Sequence, residues 1–144
     1  MPDGFLPVRL RVRYAETDQM GVVHHAVYPV WFEVARSAFS HAVGVPYSDW
    51  ERRGYLLMVA EVACRYRRPA HYDDEVVVWV RVRSVASRRV VFEYQVENSA
   101  GSLLAEGETC HVVVDRATGR PATLPADLRK SLSQPPPSPT PDTV

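Results

Sequence analysis

The hydrophobic pattern changes its period only twice along the 144 residues, which sharply limits the folds open to this chain. From Val8 to Tyr14 the run Val-Arg-Leu-Arg-Val-Arg-Tyr alternates strictly, setting Val8, Leu10, Val12 and Tyr14 on one face of a strand and three arginines on the other. From about Tyr28 the apolar residues recur at helical spacing: Val30, Val34, Ala38 and Ala42 form one face, with Trp31, Ala35 and Phe39 beside it. Pro29 suits a first helical turn, where its missing N–H costs nothing, and Gly44 followed by Pro46 ends the helix. Period two then returns and predicts strands near Leu57–Arg68, Glu75–Ser84, Arg89–Glu97 and Leu103–Asp115. One strand, one helix and four further strands is an α+β order, in which the helix covers one face of an antiparallel sheet. Apolar residues occupy both alternation sets of the third strand, Val76, Val78 and Val80 against Val77 and Trp79. The outer face therefore calls for cover from a second subunit, and at least a dimer is expected.

Residues 1–132 read as a single domain. The polar, proline-rich stretch 133–144 cannot bury enough surface to offset its ordering and reads as a disordered tail. Seventeen basic residues balance seventeen acidic ones, which argues against nucleic acid or an anionic membrane as partner. No apolar run approaches the roughly 18 residues of a membrane span, so no membrane insertion is expected. Met1–Phe5 lacks the basic start and apolar core of a secretory signal, so the expected compartment is the cytoplasm. Cys64 and Cys110 are then reduced, and their separation matches no metal-ligand spacing.

The segment Tyr14–Tyr28 links the first strand to the helix and carries the chemistry. A helix N-terminus offers unpaired N–H groups and the positive end of a dipole, which suits an oxyanion forming on a carbonyl. Asp18 lies in the approach to that terminus, where a carboxylate can attack an acyl carbon, take a proton from water, or simply form a turn. Gly21 lets the backbone pass close to a ligand.

Asp18, Gly21, Val23, His25 and Tyr28 fall on the pattern D-x-x-G-x-V-x-H-x-x-Y. Downstream stand Phe32-Glu33-Val34-Ala35-Arg36 and Pro69-Ala70-His71-Tyr72-Asp73-Asp74. Over roughly Val8 to Pro125 the chain resembles the 4-hydroxybenzoyl-CoA thioesterase-like hotdog family, in particular its YbgC-type acyl-CoA thioesterases. The resemblance implies a hotdog fold, a five-stranded antiparallel sheet wrapped around one long central helix, with two protomers joined edge to edge and two active sites along the interface. Such dimers can pair again into tetramers.

It further implies hydrolysis of a small aromatic or short- to medium-chain acyl-CoA, with coenzyme A as part of the substrate and no metal or other cofactor. Asp18 would be nucleophile or general base, the His25 backbone N–H would polarise the thioester carbonyl, and the His25 side chain would orient substrate or water. Tyr14, Gly21, Val23, Tyr28, Phe32, Glu33, Leu57 and Met58 are the candidates to line the substrate pocket. Arg88 and Arg89 are the first candidates for the coenzyme A phosphates, with Arg65, Arg67 and Arg68 as the second set. His24, His41, His71 and His111 are given no catalytic role.

One position departs from the family. Residue 27, often Asn or Ser, is Val27 here and cannot cap the helix through its side chain. Either another group such as His24 or Thr17 satisfies those N–H groups, or they are more available to substrate. A hydratase on the same fold would carry an H-x-x-x-x-G-x-x-P run, which is absent. The alternative from a different class is a non-catalytic acyl-CoA or partner-binding module with the proline-rich tail as its contact.

Overall fold

The structure is a computed structural model and describes residues 4–137. Its elements follow the order β1 (Leu6–Arg11), α1 (Val27–Ala42), α2 (Tyr47–Arg52), β2 (Tyr55–Tyr66), β3 (Glu75–Val85), β4 (Arg89–Asn98), β5 (Leu103–Asp115) and α3 (Ala126–Leu132). The strands form one antiparallel sheet in the order β1-β3-β4-β5-β2, so the first two strands in sequence are its edges. The α+β, five-stranded antiparallel reading thus holds. Helix α1 has 16 residues, against six and seven in the other two.

The first strand stops sooner than its alternation suggests. It ends at Arg11, and Tyr14 opens a single 3₁₀ turn that leaves its ring 77% exposed, edge-on to Tyr72. The cause is Glu16, whose buried carboxylate accepts the Arg13 N–H at 2.8 Å and the Trp31 indole N–H at 3.0 Å. That pull bends the chain off the sheet and ties the loop to α1.

The helix also presents a different face from the one its spacing suggested. Tyr28, Trp31, Phe32, Ala35 and Phe39 are buried against the sheet, whereas Val30 and Val34 are 49% and 41% exposed. Aromatic rings cover more of the sheet than valines do, so this stripe removes more apolar area from water. Phe32 stacks on Tyr94 with ring centroids 4.1 Å apart. Gly107 permits that approach, because a β-carbon there would strike the Ala63 carbonyl and the Phe32 ring. Beneath the helix lie Val76, Val78 and Val80 of β3 and Val90, Phe92, Tyr94 and Val96 of β4, all buried.

Strand β2 is irregular in an informative way. Its register against β5 slips between Val59 and Glu61, a bulge that inserts one residue and reverses which positions face the helix. Before the bulge Leu57 packs against the core and the half-exposed Val59 lines a cavity with it. After it Cys64 packs on the core and Tyr66 meets the ring of Tyr28.

At the far end α3 buries Leu128 and Leu132, and Arg53 holds Asp127 through two bonds of 2.7 and 3.0 Å. The first residues of the stretch read as a tail, Ser133 to Pro136, line a cleft with Arg81–Val85 and Phe39; residues 138–144 of that stretch lie outside the described residues.

Candidate active site

The segment between β1 and α1 is shaped by short-range hydrogen bonds. The Asp18 N–H donates to the Val22 carbonyl at 2.9 Å, and the Gly21 N–H donates to the Asp18 carbonyl at 3.0 Å. Gly21 has φ of +77°, a conformation that other residues adopt only with strain, so the glycine fixes where this turn reverses. Asp18 Oδ1 accepts the Met20 N–H at 2.8 Å. The turn-forming and chemical readings of Asp18 are therefore compatible, because one carboxylate oxygen holds the loop and no hydrogen bond within the described residues engages the other.

Val23 anchors the returning chain: its N–H donates to the Ala70 carbonyl, and the Val22 backbone bridges to His71. Asp18, Val22, Val23, His25 and Tyr28 thereby line one cleft together with Tyr66, Arg67, Arg68 and Pro69. Its wall is more apolar than polar, and its floor is the start of α1.

The start of α1 answers the question raised by Val27. His24 substitutes for a side-chain cap at the usual position: its Nδ1 accepts the Ala26 N–H at 3.1 Å and its carbonyl accepts the Val27 N–H at 3.0 Å. The Thr17 hydroxyl instead donates to the Tyr14 carbonyl. The backbone N–H of His25 makes no hydrogen bond within the described residues, so it is available at the end of a helix dipole. The His25 carbonyl accepts the Tyr66 hydroxyl at 2.8 Å, and the His25 ring stacks on His24. Burial holds the Tyr28 phenol up at about 12, so it remains a protonated wall rather than a base.

Asp18, Val23, His25 and Tyr28 come together as the sequence suggests, with Gly21 shaping the loop. Five of the pocket candidates do not join them. Tyr14 is exposed on the 3₁₀ turn. Phe32 is wholly buried under Tyr94, because the stripe of α1 that meets the sheet includes it. Met58 is 54% exposed and alternates away from Leu57. Leu57 and Glu33 line a separate cavity toward the other end of α1.

Of the arginines, Arg67 and Arg68 line the Asp18 cleft, with Arg67 2.7 Å from Glu106; Arg65 pairs with Glu106 and Glu108. Arg88 and Arg89 lie on the β3–β4 turn beside Val112 and Val113, near the Leu57 end of β2 and away from this protomer's Asp18. Sequence reasoning missed Tyr66, whose inward orientation depends on the bulge. No three His, Cys, Asp or Glu side chains among the described residues are grouped to hold a metal ion, and no helix among them is long and apolar enough to cross a membrane.

Asp18 and His25, whose backbone N–H is unpaired among the described residues, line one cleft on an antiparallel sheet, a setting suited to the hydrolysis of a thioester. The family comparison agrees: residues 12–132 match the thioesterase-like superfamily, and the chain belongs to it. YneP of Bacillus subtilis, which bears the name of an acyl-CoA thioesterase, is 39% identical over 78% of this chain and 81% of its own length. A hypothetical protein from Thermus thermophilus, TT1821, superposes with a TM-score of 0.84 at 44% identity, covering 88% of this chain and 96% of that one. The DHNA-CoA thioesterase of Staphylococcus aureus superposes at 0.86 with 31% identity, covering 90% and 89%. The chain is a thioester hydrolase.

Proposed function

We propose that the chain hydrolyses a small aromatic or short- to medium-chain acyl-CoA to the free acid and coenzyme A, with Asp18 as nucleophile or general base and the His25 N–H as carbonyl polariser. The observation that carries this reading is the shared cleft of Asp18 and the unpaired His25 N–H. In one route Asp18 attacks the thioester carbon, the thiolate leaves, and water hydrolyses the resulting anhydride. In the other Asp18 takes a proton from the water that attacks. Both routes place negative charge on the carbonyl oxygen, where a preorganised N–H at a helix start stabilises it.

The protein acts as a dimer joined through β2, in a reducing compartment such as the cytoplasm that suits its two free cysteines. β2 is an unpaired sheet edge with Val59, Val62 and Tyr66 exposed, and α1 leaves Val30 and Val34 exposed. A long apolar edge strand is a pairing surface unless it is covered, and a second copy related by a two-fold axis covers it with its own β2. Antiparallel pairing centred on the bulge sets Leu57 and Val59 against the partner's Cys64 and Val62. In this reading α1 is the central helix that each sheet wraps. Arg67 and Arg68 at the cleft, and Arg88 and Arg89 brought in from the partner, meet the coenzyme A phosphates.

The test is release of free thiol from a panel of benzoyl, short-chain and long-chain acyl-CoAs, wild type beside Asp18→Asn, with mass determined by light scattering. Turnover lost in the variant supports the assignment, whereas tight binding without turnover in the wild type leaves an acyl-CoA-binding module in its place. A single turnover in ¹⁸O-water that labels Asp18 establishes the anhydride route, since only water attacking the Asp18 carbon of an anhydride carries label into that carboxylate.

A further inference from the structure

The two peptide units that meet at the His25 Cα carry four polar groups, and three of them are engaged. The His24 carbonyl accepts the Val27 N–H at 3.0 Å, the Ala26 N–H donates to His24 Nδ1 at 3.1 Å, and the His25 carbonyl accepts the Tyr66 hydroxyl at 2.8 Å. The His25 N–H is the fourth group and has no partner among the described residues. Because a peptide unit is planar, its N–H and carbonyl turn together, so swinging the His25 N–H away from the cleft strains or breaks these bonds.

The His25 carbonyl is held by a side chain because the helix has no donor for it. Helical geometry would meet a carbonyl at position 25 with the N–H of residue 29. Residue 29 is proline and has no N–H, and no backbone N–H among the described residues bonds the His25 carbonyl. Tyr66, 41 positions further on, supplies the donor instead. The bulge in β2 turns its side chain toward α1, and its ring packs edge-on against Tyr28 with centroids 5.2 Å apart. Of the three bonds around His25, this one alone comes from outside the segment, and it ties the helix start to the sheet edge. The hydroxyl has one proton, and that proton is directed at the His25 carbonyl, so Tyr66 does not donate to the thioester itself. The Cys64 thiol also interacts with this hydroxyl, whose oxygen keeps lone pairs to accept it.

We propose that Tyr66 is a positioning residue for thioester hydrolysis: through its bond to the His25 carbonyl it holds the His25 N–H at the angle from which that N–H meets the thioester oxygen. The proposal rests on the reading of this N–H as the carbonyl polariser. A donor fixed in advance stabilises the developing charge without having to reorganise, so loosening it slows the chemical step while substrate still binds. Pro29 and Tyr66 then form a pair: the first denies the His25 carbonyl a helical partner, and the second takes it from across the cleft.

Tyr66→Phe keeps the ring against Tyr28 and removes only the hydroxyl. With the best substrate of the acyl-CoA panel, kcat is expected to fall about tenfold and KM to stay within about twofold of wild type. The readout that a merely structural role would not move is the carbonyl stretch of bound [carbonyl-¹³C]benzoyl-CoA, isolated by isotope-difference infrared spectroscopy in the slow Asp18→Asn background. Binding to Asp18→Asn lowers this frequency below that of the free ester, because a hydrogen bond weakens the C=O bond, and adding Tyr66→Phe returns it toward the free value. An unchanged kcat, an effect carried by KM instead, or a frequency unmoved by loss of the hydroxyl overturns the proposal while leaving the His25 N–H as polariser. A frequency equal to that of the free ester in Asp18→Asn itself, or no hydrolysis of any ester by the wild type, overturns the reading on which the proposal rests.

Discussion

The two ends of α1 are built by different means. At the N-terminal end, consecutive residues of one loop assemble the cleft: Asp18 turns the chain, Gly21 reverses it, and His24 caps the helix so that the His25 N–H stays free. At the other end, side chains from α1, β4 and β5 assemble a hydrogen-bonded chain from Arg36 through Tyr94 and Thr109 to His111, and no two neighbours in sequence contribute to it. The first end is a backbone device and tolerates solvent. The second is a buried network, where a single unsatisfied atom matters.

The largest expected effect lies at the backbone-built end. Asp18→Asn preserves the bond to the Met20 N–H, because the amide oxygen still accepts, yet removes the carboxylate chemistry. Turnover is expected to fall about 10³-fold or more, equivalent to about 4 kcal/mol of barrier, with an unchanged circular dichroism spectrum. Loss of less than tenfold would place the chemistry elsewhere.

The buried end is instead most sensitive to pH. Burial depresses the His111 pKa to about 4 in the folded protein against an ordinary value of 6.5, so the unfolded chain takes up the proton first as pH falls. Stability is therefore full above pH 6.5 and declines by about 3 kcal/mol as pH drops toward 4, a slope that His111→Phe should flatten in urea titrations. An identical slope in the variant would assign the acid sensitivity to other groups.

Glu16 links the cleft's loop to α1, and its removal sharpens the contrast. Glu16→Ala leaves the Trp31 indole and the Arg13 N–H without their acceptor and should cost about 2–3 kcal/mol, read as a lower Tm. A loss under about 0.5 kcal/mol would show that the loop is held by its backbone alone. The smallest effect belongs to the exposed arginines. Arg68→Ala should raise KM for a coenzyme A ester a few-fold and leave a pantetheine ester unaffected, because only the former carries the distal phosphates. Equal effects on both esters would remove phosphate binding as the role of Arg68.

How much of this was legible follows from the range of the interactions. The strand and helix periods gave the five strands and α1, with boundaries within a few residues, and left α3 unread. The D-x-x-G-x-V-x-H-x-x-Y run picked out Asp18, His25 and Tyr28, which line one cleft, because a turn and a helix start are made of near neighbours. The pocket candidates that lie outside the Asp18 cleft share a different cause. Phe32, Leu57 and Met58 are apolar residues on elements with apolar positions on more than one face, and sequence spacing does not say which face meets the sheet. Tyr66 and Cys64 were obscured by one inserted residue, which reverses the alternation without leaving a mark in composition. His111 looked like one scattered histidine among five.

The sequence by itself determined the order of the five strands and α1, the antiparallel sheet, and the loop between β1 and α1, since period, turn chemistry and helix capping act within a few residues of the chain. Only the tertiary structure decided which stripe of α1 is buried, where the β2 bulge turns its side chains, and that Arg36, Tyr94, Thr109 and His111 form one chain. Those outcomes depend on close packing and hydrogen-bond satisfaction between residues up to 75 positions apart, from Arg36 to His111, and no local pattern encodes them.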